Sequence, residues 1–194
     1  MIIRPVTPQD APQVARIHAE SISSGFISSL PSGFVEKLYK EVAKSRNAFG
    51  FVCEDGSKVV GFICGSLDTN RLFKDLILKK GLVLAIPLLK YVFNFDVFRK
   101  ILNNMFYANK FGADLPKAEI LSVAVSDGAK GLGIGKKLMD RALLEFKKNN
   151  SSGIKALTDE NNVNSNNYYI KCGFNLIGKK KHHNHYLNIY VLGL

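Results

Sequence analysis

Ala118-Glu119-Ile120-Leu121-Ser122-Val123-Ala124-Val125-Ser126, followed after Asp127-Gly128-Ala129 by Lys130-Gly131-Leu132-Gly133-Ile134-Gly135, is the stretch on which the fold turns. Its first part reads as a buried strand, and the residues after it as a helix with Leu138, Ala142, Leu143 and Phe146 on one face. A glycine-rich run that leaves a strand and opens a helix is physically a phosphate site. The first amides of a helix have no intrahelical partner and point outward, where an anion accepts from them. Glycines at 131, 133 and 135 let the backbone approach a ligand and take positive φ where the turn requires it. Alternating glycines are equally at home in a structural loop, so the run does not decide the matter alone. Two competing phosphate motifs fail. There is no G-x-x-x-x-G-K-[ST], and the glycine spacing departs from G-x-G-x-x-G, with no acidic residue at a good ribose position.

Working outward, residues 2–6 read as a short strand. Thr7 is an N-cap, Pro8 the first helical position, and Ala11, Val14 and Ile17 follow at helical spacing with His18 beside them. Pro31 and Ser32 open a second helix with Phe34, Leu38, Val42 and Ala43 on one face. Strands at 48–54 and 58–66 are joined through Asp55-Gly56, a strong hairpin signal. Downstream come a strand at 155–158, a helix at 164–172 closed by Gly173, and antiparallel strands at 175–178 and 186–192. The order β-α-α-β-β-insert-β-α-β-α-β-β predicts a single-domain α/β fold over residues 1–194 with a mixed sheet. Its early and late hairpins argue against a purely parallel, doubly wound sheet.

Residues 68–116 read as a helical insertion, with two or three amphipathic helices expected ahead of the strand at 118. Its apolar run, 81–89, is broken by Pro87 and flanked by Lys79, Lys80 and Lys90, and is too short to span a bilayer. A lid over a pocket, a homodimer interface and a surface touching membrane all fit it, the first two better because apolar faces of soluble proteins are usually packed.

Composition narrows the setting. The odd set of cysteines, Cys53, Cys64 and Cys172, has no C-x-x-C spacing and favours free thiols in a reducing cytoplasm. Met1-Ile2-Ile3-Arg4-Pro5 lacks the basic start and apolar core of an export signal. The net charge of +11 suits an anionic partner, and solubility equally. Nucleic-acid binding is not expected, because the aromatics sit in apolar contexts rather than among exposed basic residues. His182, His183 and His185 are close enough to chelate but lack Cys or Asp support, so no metal is expected. The Lys179-Lys180-Lys181 run reads as a solvated turn.

The strand from Ala118 with Lys130-x-x-Gly133-x-Gly135 is similar to the acetyl-CoA motif of the GNAT superfamily, Q/R-x-x-G-x-G/A. Asn162-Val163-Asn164-Ser165-Asn166-Asn167-Tyr168-Tyr169-Ile170-Lys171-Cys172-Gly173-Phe174 resembles that family's second signature, N-x-x-A-x-x-[apolar]-Y-x-k-x-G-F. The resemblance is firm over residues 118–177. It departs at Lys130, where the family has Gln or Arg, and at Ser165, where it has Ala; neither removes a backbone donor.

The resemblance implies transfer of an acetyl group from acetyl-CoA to a primary amine of a small molecule, amino-sugar derivative or peptide. A non-catalytic acetyl-CoA sensor or partner module is the alternative. By the same resemblance this strand would splay from its neighbour, and along its exposed edge Val123, Ala124 and Val125 would hold the pantetheine arm, with the Val123 N–H facing the thioester carbonyl. Amides of Lys130, Gly131, Leu132, Gly133, Ile134, Gly135 and Lys136 would hold the pyrophosphate. Asn162 would touch the cofactor arm or fix the loop beneath it, with Ser165 beside it. Tyr169 falls where the family keeps the tyrosine that protonates the departing thiolate; Tyr168, about 100° round the helix, is assigned to the core. Glu119 is the base candidate, by its likeness to an Ala-Glu-Ile run in the histone-acetyltransferase branch. A strand-end glutamate facing solvent or a lysine is the competing reading.

Overall fold

The computed structural model describes residues 1–22, 27–85, 115–182 and 185–194. The expectations for the helical insertion between 86 and 114 lie outside them, as do the side chains of residues 182–185. The described elements follow the predicted order. β1 (Ile2–Pro5) leads through a 3-10 turn to α1 (Ala11–Ser21) and α2 (Ser32–Val42). The hairpin β2 (Ala48–Asp55) and β3 (Lys58–Ser66) turns through Gly56 at φ 62°. α3 (Thr69–Ala85) begins the insertion, and among the described residues no helix is long and apolar enough to cross a membrane. β4 (Ala118–Val125), α4 (Ile134–Lys148), β5 (Gly153–Asp159), α5 (Val163–Lys171), β6 (Asn175–His182) and β7 (His185–Gly193) complete the chain.

The strands form one sheet in the order β1-β2-β3-β4-β5-β7-β6, antiparallel throughout except for β4 beside β5. Alternation along the central strands sends side chains to two cores. Val52, Phe62 and Cys64 pack with Val14, Ile17, Phe34 and Leu38 of α1 and α2. Phe51, Ile63, Ile120 and Ile154 pack with Leu138, Met139, Ala142 and Phe146 of α4. Each fully buried side chain of this kind stabilises by roughly 1.5–3 kcal/mol, which is why the helices stay on the two faces of the sheet.

One detail differs from the sequence reading, and another bears directly on the site. The run Lys179-Lys180-Lys181 lies within β6 rather than in a turn, and His182 pairs with His185 across the strand ends. β6 is an edge strand, where lysines are suited to blocking further pairing. The other detail is the β4–β5 pairing. It spans residues 118–120 against 154–156 and then stops. Beyond it β4 continues on β3, and β5 on β7 as far as Asp159. The two strands fork.

At the outer edge, Arg4 ties β1 to the start of α1. Its Nη1 and Nη2 each donate to Asp10 at 2.8 Å, while its Nε donates to Glu54 at 2.5 Å. Arg4 and Thr7 together hold the Asp10 carboxyl down at about 2, from 3.8. A depressed carboxylate stabilises the fold above its unfolded pKa and ceases to do so as pH falls through its folded value. Asp10→Asn is therefore expected to cost on the order of 1–2 kcal/mol at pH 7, a deficit that shrinks from pH 4 towards pH 2. Urea unfolding at the two pH values checks it.

Candidate active site

The fork begins at a bulge. Across from Cys64 and Gly65 of β3, β4 sets Ser122 and Ile120, which leaves Leu121 as an extra residue. A bulge bends its strand, so β4 turns away from β5 where their pairing ends. Main-chain alternation then decides what the free edge offers. The Ser126 N–H donates to Val60 of β3 at 2.9 Å. Residues one and three back, Val125 and Val123, consequently turn their N–H and C=O groups to the side that β5 has left. Ser21 at the end of α1 reaches this edge, its Oγ donating to the Val125 carbonyl at 3.3 Å.

The fork opens into a cleft of about 900 Å³. Val123, Ala124 and Val125 form one wall, Ser21 and Ile22 another, and the segment from the end of β5 at Asp159 through Asn162 to the first turn of α5 at Ser165 the third. Lys130, Gly135 and Tyr168 close the end nearest α4. Gly131 and Gly133 stand at φ 81° and 73°, in the left-handed region that disfavours other residues. Gly133 is the N-cap of α4, and its carbonyl takes the first helical bond, from Lys137 N–H at 3.1 Å. Amides of Ile134, Gly135 and Lys136 precede that bond and lack helical partners. The Lys130 amide is turned instead to Asp127 O at 3.3 Å, with its ammonium 2.6 Å from the Asp127 carboxylate. Asn162 caps α5, its Oδ1 accepting from Ser165 N–H at 3.0 Å.

An extended main-chain edge followed by a helix N-terminus, both bordering one cleft, fits a ligand with an amide-bearing arm and a diphosphate. Residues 19–174 match the model of the Acetyltransferase (GNAT) family. The chain belongs to the GNAT family. GNAT enzymes take their acyl group from acetyl-CoA, and acetyl-CoA is the co-substrate here.

Solved structures agree on the GNAT fold. A putative GNAT acetyltransferase from Desulfovibrio desulfuricans matches with TM-score 0.65 and 15% identity, over 99% of this chain and 98% of that one. The ribosomal-protein-S18-alanine N-acetyltransferase from Escherichia coli gives 0.62 at 13% identity, over 99% and 92%. A putative acetyltransferase from Salmonella typhimurium, solved with its cofactor acetyl-CoA, gives 0.62 at 18% identity, over 100% and 94%. No curated protein matches the chain significantly in sequence.

At the closed end of this GNAT fork the other two candidates meet. Glu119 is buried on β4, and its Oε2 accepts from Thr69 Oγ1 at 2.9 Å with Lys155 Nζ 3.6 Å away. Burial raises its pKa, and the lysine and threonine oppose the rise. Tyr169 is buried against Phe174 and Tyr190, with a hydroxyl that makes no hydrogen bond among the described residues. Burial, then the nearby Glu119 charge, push that hydroxyl well above 10, so it holds its proton. Neither residue lines the open cleft.

Some of the site escaped the sequence. Tyr168, assigned to the core, lines the cleft; its Oη donates to Gly135 O at 2.8 Å. A Cβ on Gly135 would meet its ring at 3.2 Å, so that glycine admits a side chain as well as a ligand. Lys155 was also missed as the partner of Glu119, although a lysine among Ile154, Ala156 and Leu157 is a charge in a buried strand that requires one.

Proposed function

We propose that residues 1–194 form one N-acetyltransferase domain, with 68–116 as its insertion. It transfers the acetyl group of acetyl-CoA to a primary amine of a small molecule, amino-sugar derivative or peptide by direct attack, in the cytoplasm. The observation that carries this reading is the edge of β4 that β5 leaves after Ile120, followed by the N-terminus of α4. Val123 and Val125 bind the arm of the donor, and the Val123 N–H faces the thioester carbonyl, where charge grows during attack. Amides from Gly131 to Lys136 take the diphosphate, helped by the α4 dipole.

Glu119 takes the proton from the amine, directly or through water. Its raised pKa makes it a stronger base than an exposed glutamate, and Lys155 and Thr69 hold the carboxylate in place. Tyr169 gives its proton to the leaving sulfur. The +11 charge supports an acidic acceptor such as a sugar nucleotide.

Release of the coenzyme A thiol, followed with a panel containing an amino-sugar nucleotide, a neutral small amine and a peptide N-terminus, tests the proposal. Release that depends on an added amine is expected, strongest with the acidic acceptor. Saturable acetyl-CoA binding with no release for any amine would instead favour the non-catalytic module.

A further inference from the structure

The bulge and the fork coincide at Leu121, so whatever fixes Ser122 also fixes where β4 leaves β5. A line of side chains crosses from β4 to the helices at this point. Ser122 Oγ lies 2.9 Å from Tyr39 Oη, Tyr39 Oη 2.6 Å from His18 Nδ1, and His18 Nε2 3.0 Å from Ser28 Oγ. Ser122, Tyr39 and His18 are buried, on β4, α2 and α1 respectively. Both rings pack on Phe62, Tyr39 edge-on at 5.4 Å and His18 stacked at 6.4 Å. Burial holds the imidazole neutral, near 4, so it offers one donor and one acceptor nitrogen. Tyr39 has one proton, so it donates to one neighbour and accepts from the other. The neutral Cys64 thiol beside Ser122 is only a weak second partner.

Hydroxyls and an imidazole inside an apolar layer cost stability unless they are paired, and phenylalanine and alanine would pack at positions 39 and 122 without that cost. What the polar line adds over an apolar one is direction. It holds Ser122 at one setting relative to α1 and α2, one residue before Val123. We propose that Tyr39 and His18 are positioning residues for acetyl transfer: through the Ser122 hydroxyl they set the bulge of β4 and so aim the Val123 N–H at the thioester carbonyl. This rests on the role given to Val123 above.

The carbonyl band of carbonyl-13C-labelled acetyl-CoA, read by isotope-edited infrared spectroscopy on the bound complex, tests the aim directly and needs no acceptor. A hydrogen bond from Val123 lowers the band. Tyr39→Phe and Ser122→Ala are each expected to move it back to higher frequency, and the double variant no further than either single one, because they break one line. Acetyl-CoA affinity falls about threefold in both, as befits one neutral hydrogen bond, while affinity for coenzyme A, which keeps the arm but lacks the carbonyl, falls less. Ser122→Ala removes a single oxygen and keeps the test usable if Tyr39→Phe folds poorly. A band unmoved in Ser122→Ala, with acetyl-CoA bound, overturns this inference alone. Failure of the wild type to bind acetyl-CoA overturns the acetyltransferase reading and this inference with it.

Discussion

Gly133→Val is expected to weaken acetyl-CoA binding about 100-fold, the loss of one or two amide bonds to a charged diphosphate. Gly133 sits at φ 73° as the N-cap of α4, where a β-branched residue is strained. Among the described residues nothing lies within 4 Å of the position its Cβ would take, so it is the backbone that opposes valine. To relieve the strain the turn must rotate, and with it the amides of Ile134 and Gly135. Gly56→Val separates strain from site. It stands at φ 62° in the β2–β3 turn with equally open surroundings, far along the chain from the cleft. That variant should lose a comparable 1–3 kcal/mol of stability yet keep wild-type acetyl-CoA affinity. Calorimetric titration of both proteins decides the point: equal affinities would mean that this turn does not hold the coenzyme.

Such a turn was legible because its constraint is local. Glycines that must take positive φ, a strand before them and an apolar stripe after them are all visible within about twenty residues. Element order was legible for the same reason, down to the Asp55-Gly56 turn. The fork was implied by the family resemblance alone, and its position was not legible. That position depends on Ser122 pairing with Cys64 and on Ile120 pairing with Gly65, a register between strands that composition does not carry. The Ser122–Tyr39–His18 line was hidden too, because its members lie 83 and 21 residues apart. His18 stood beside an apolar stripe in the sequence, but only the packing of α1 on α2 brings it to Tyr39. Helical phase put Tyr168 and Tyr169 on different faces without saying which face met the sheet. Gly135 resolves it: with no side chain there, the Tyr168 ring lies against the first turn of α4, and Tyr169 turns to Phe174 and Tyr190.

That orientation makes Tyr169→Phe the sharper test of chemistry. Phenylalanine keeps the ring contacts with Phe174 and Tyr190, and the hydroxyl it removes has no hydrogen-bond partner among the described residues. Stability and acetyl-CoA affinity should stay close to wild type. The turnover number should fall by roughly 10²-fold or more, the usual contribution of a positioned general acid. Burial and the Glu119 charge keep this tyrosine protonated well past pH 10, so the wild-type rate should show no falling limb from it below that pH. A purely steric role would also lower turnover if the ring shifted, so the leaving group must be varied. An acyl donor whose thiol is more acidic departs as a thiolate without help. Against such a donor the Tyr169→Phe variant should recover most of its lost rate, because the missing proton is no longer needed. An equal loss with both donors would assign Tyr169 to packing and leave the proton to another group.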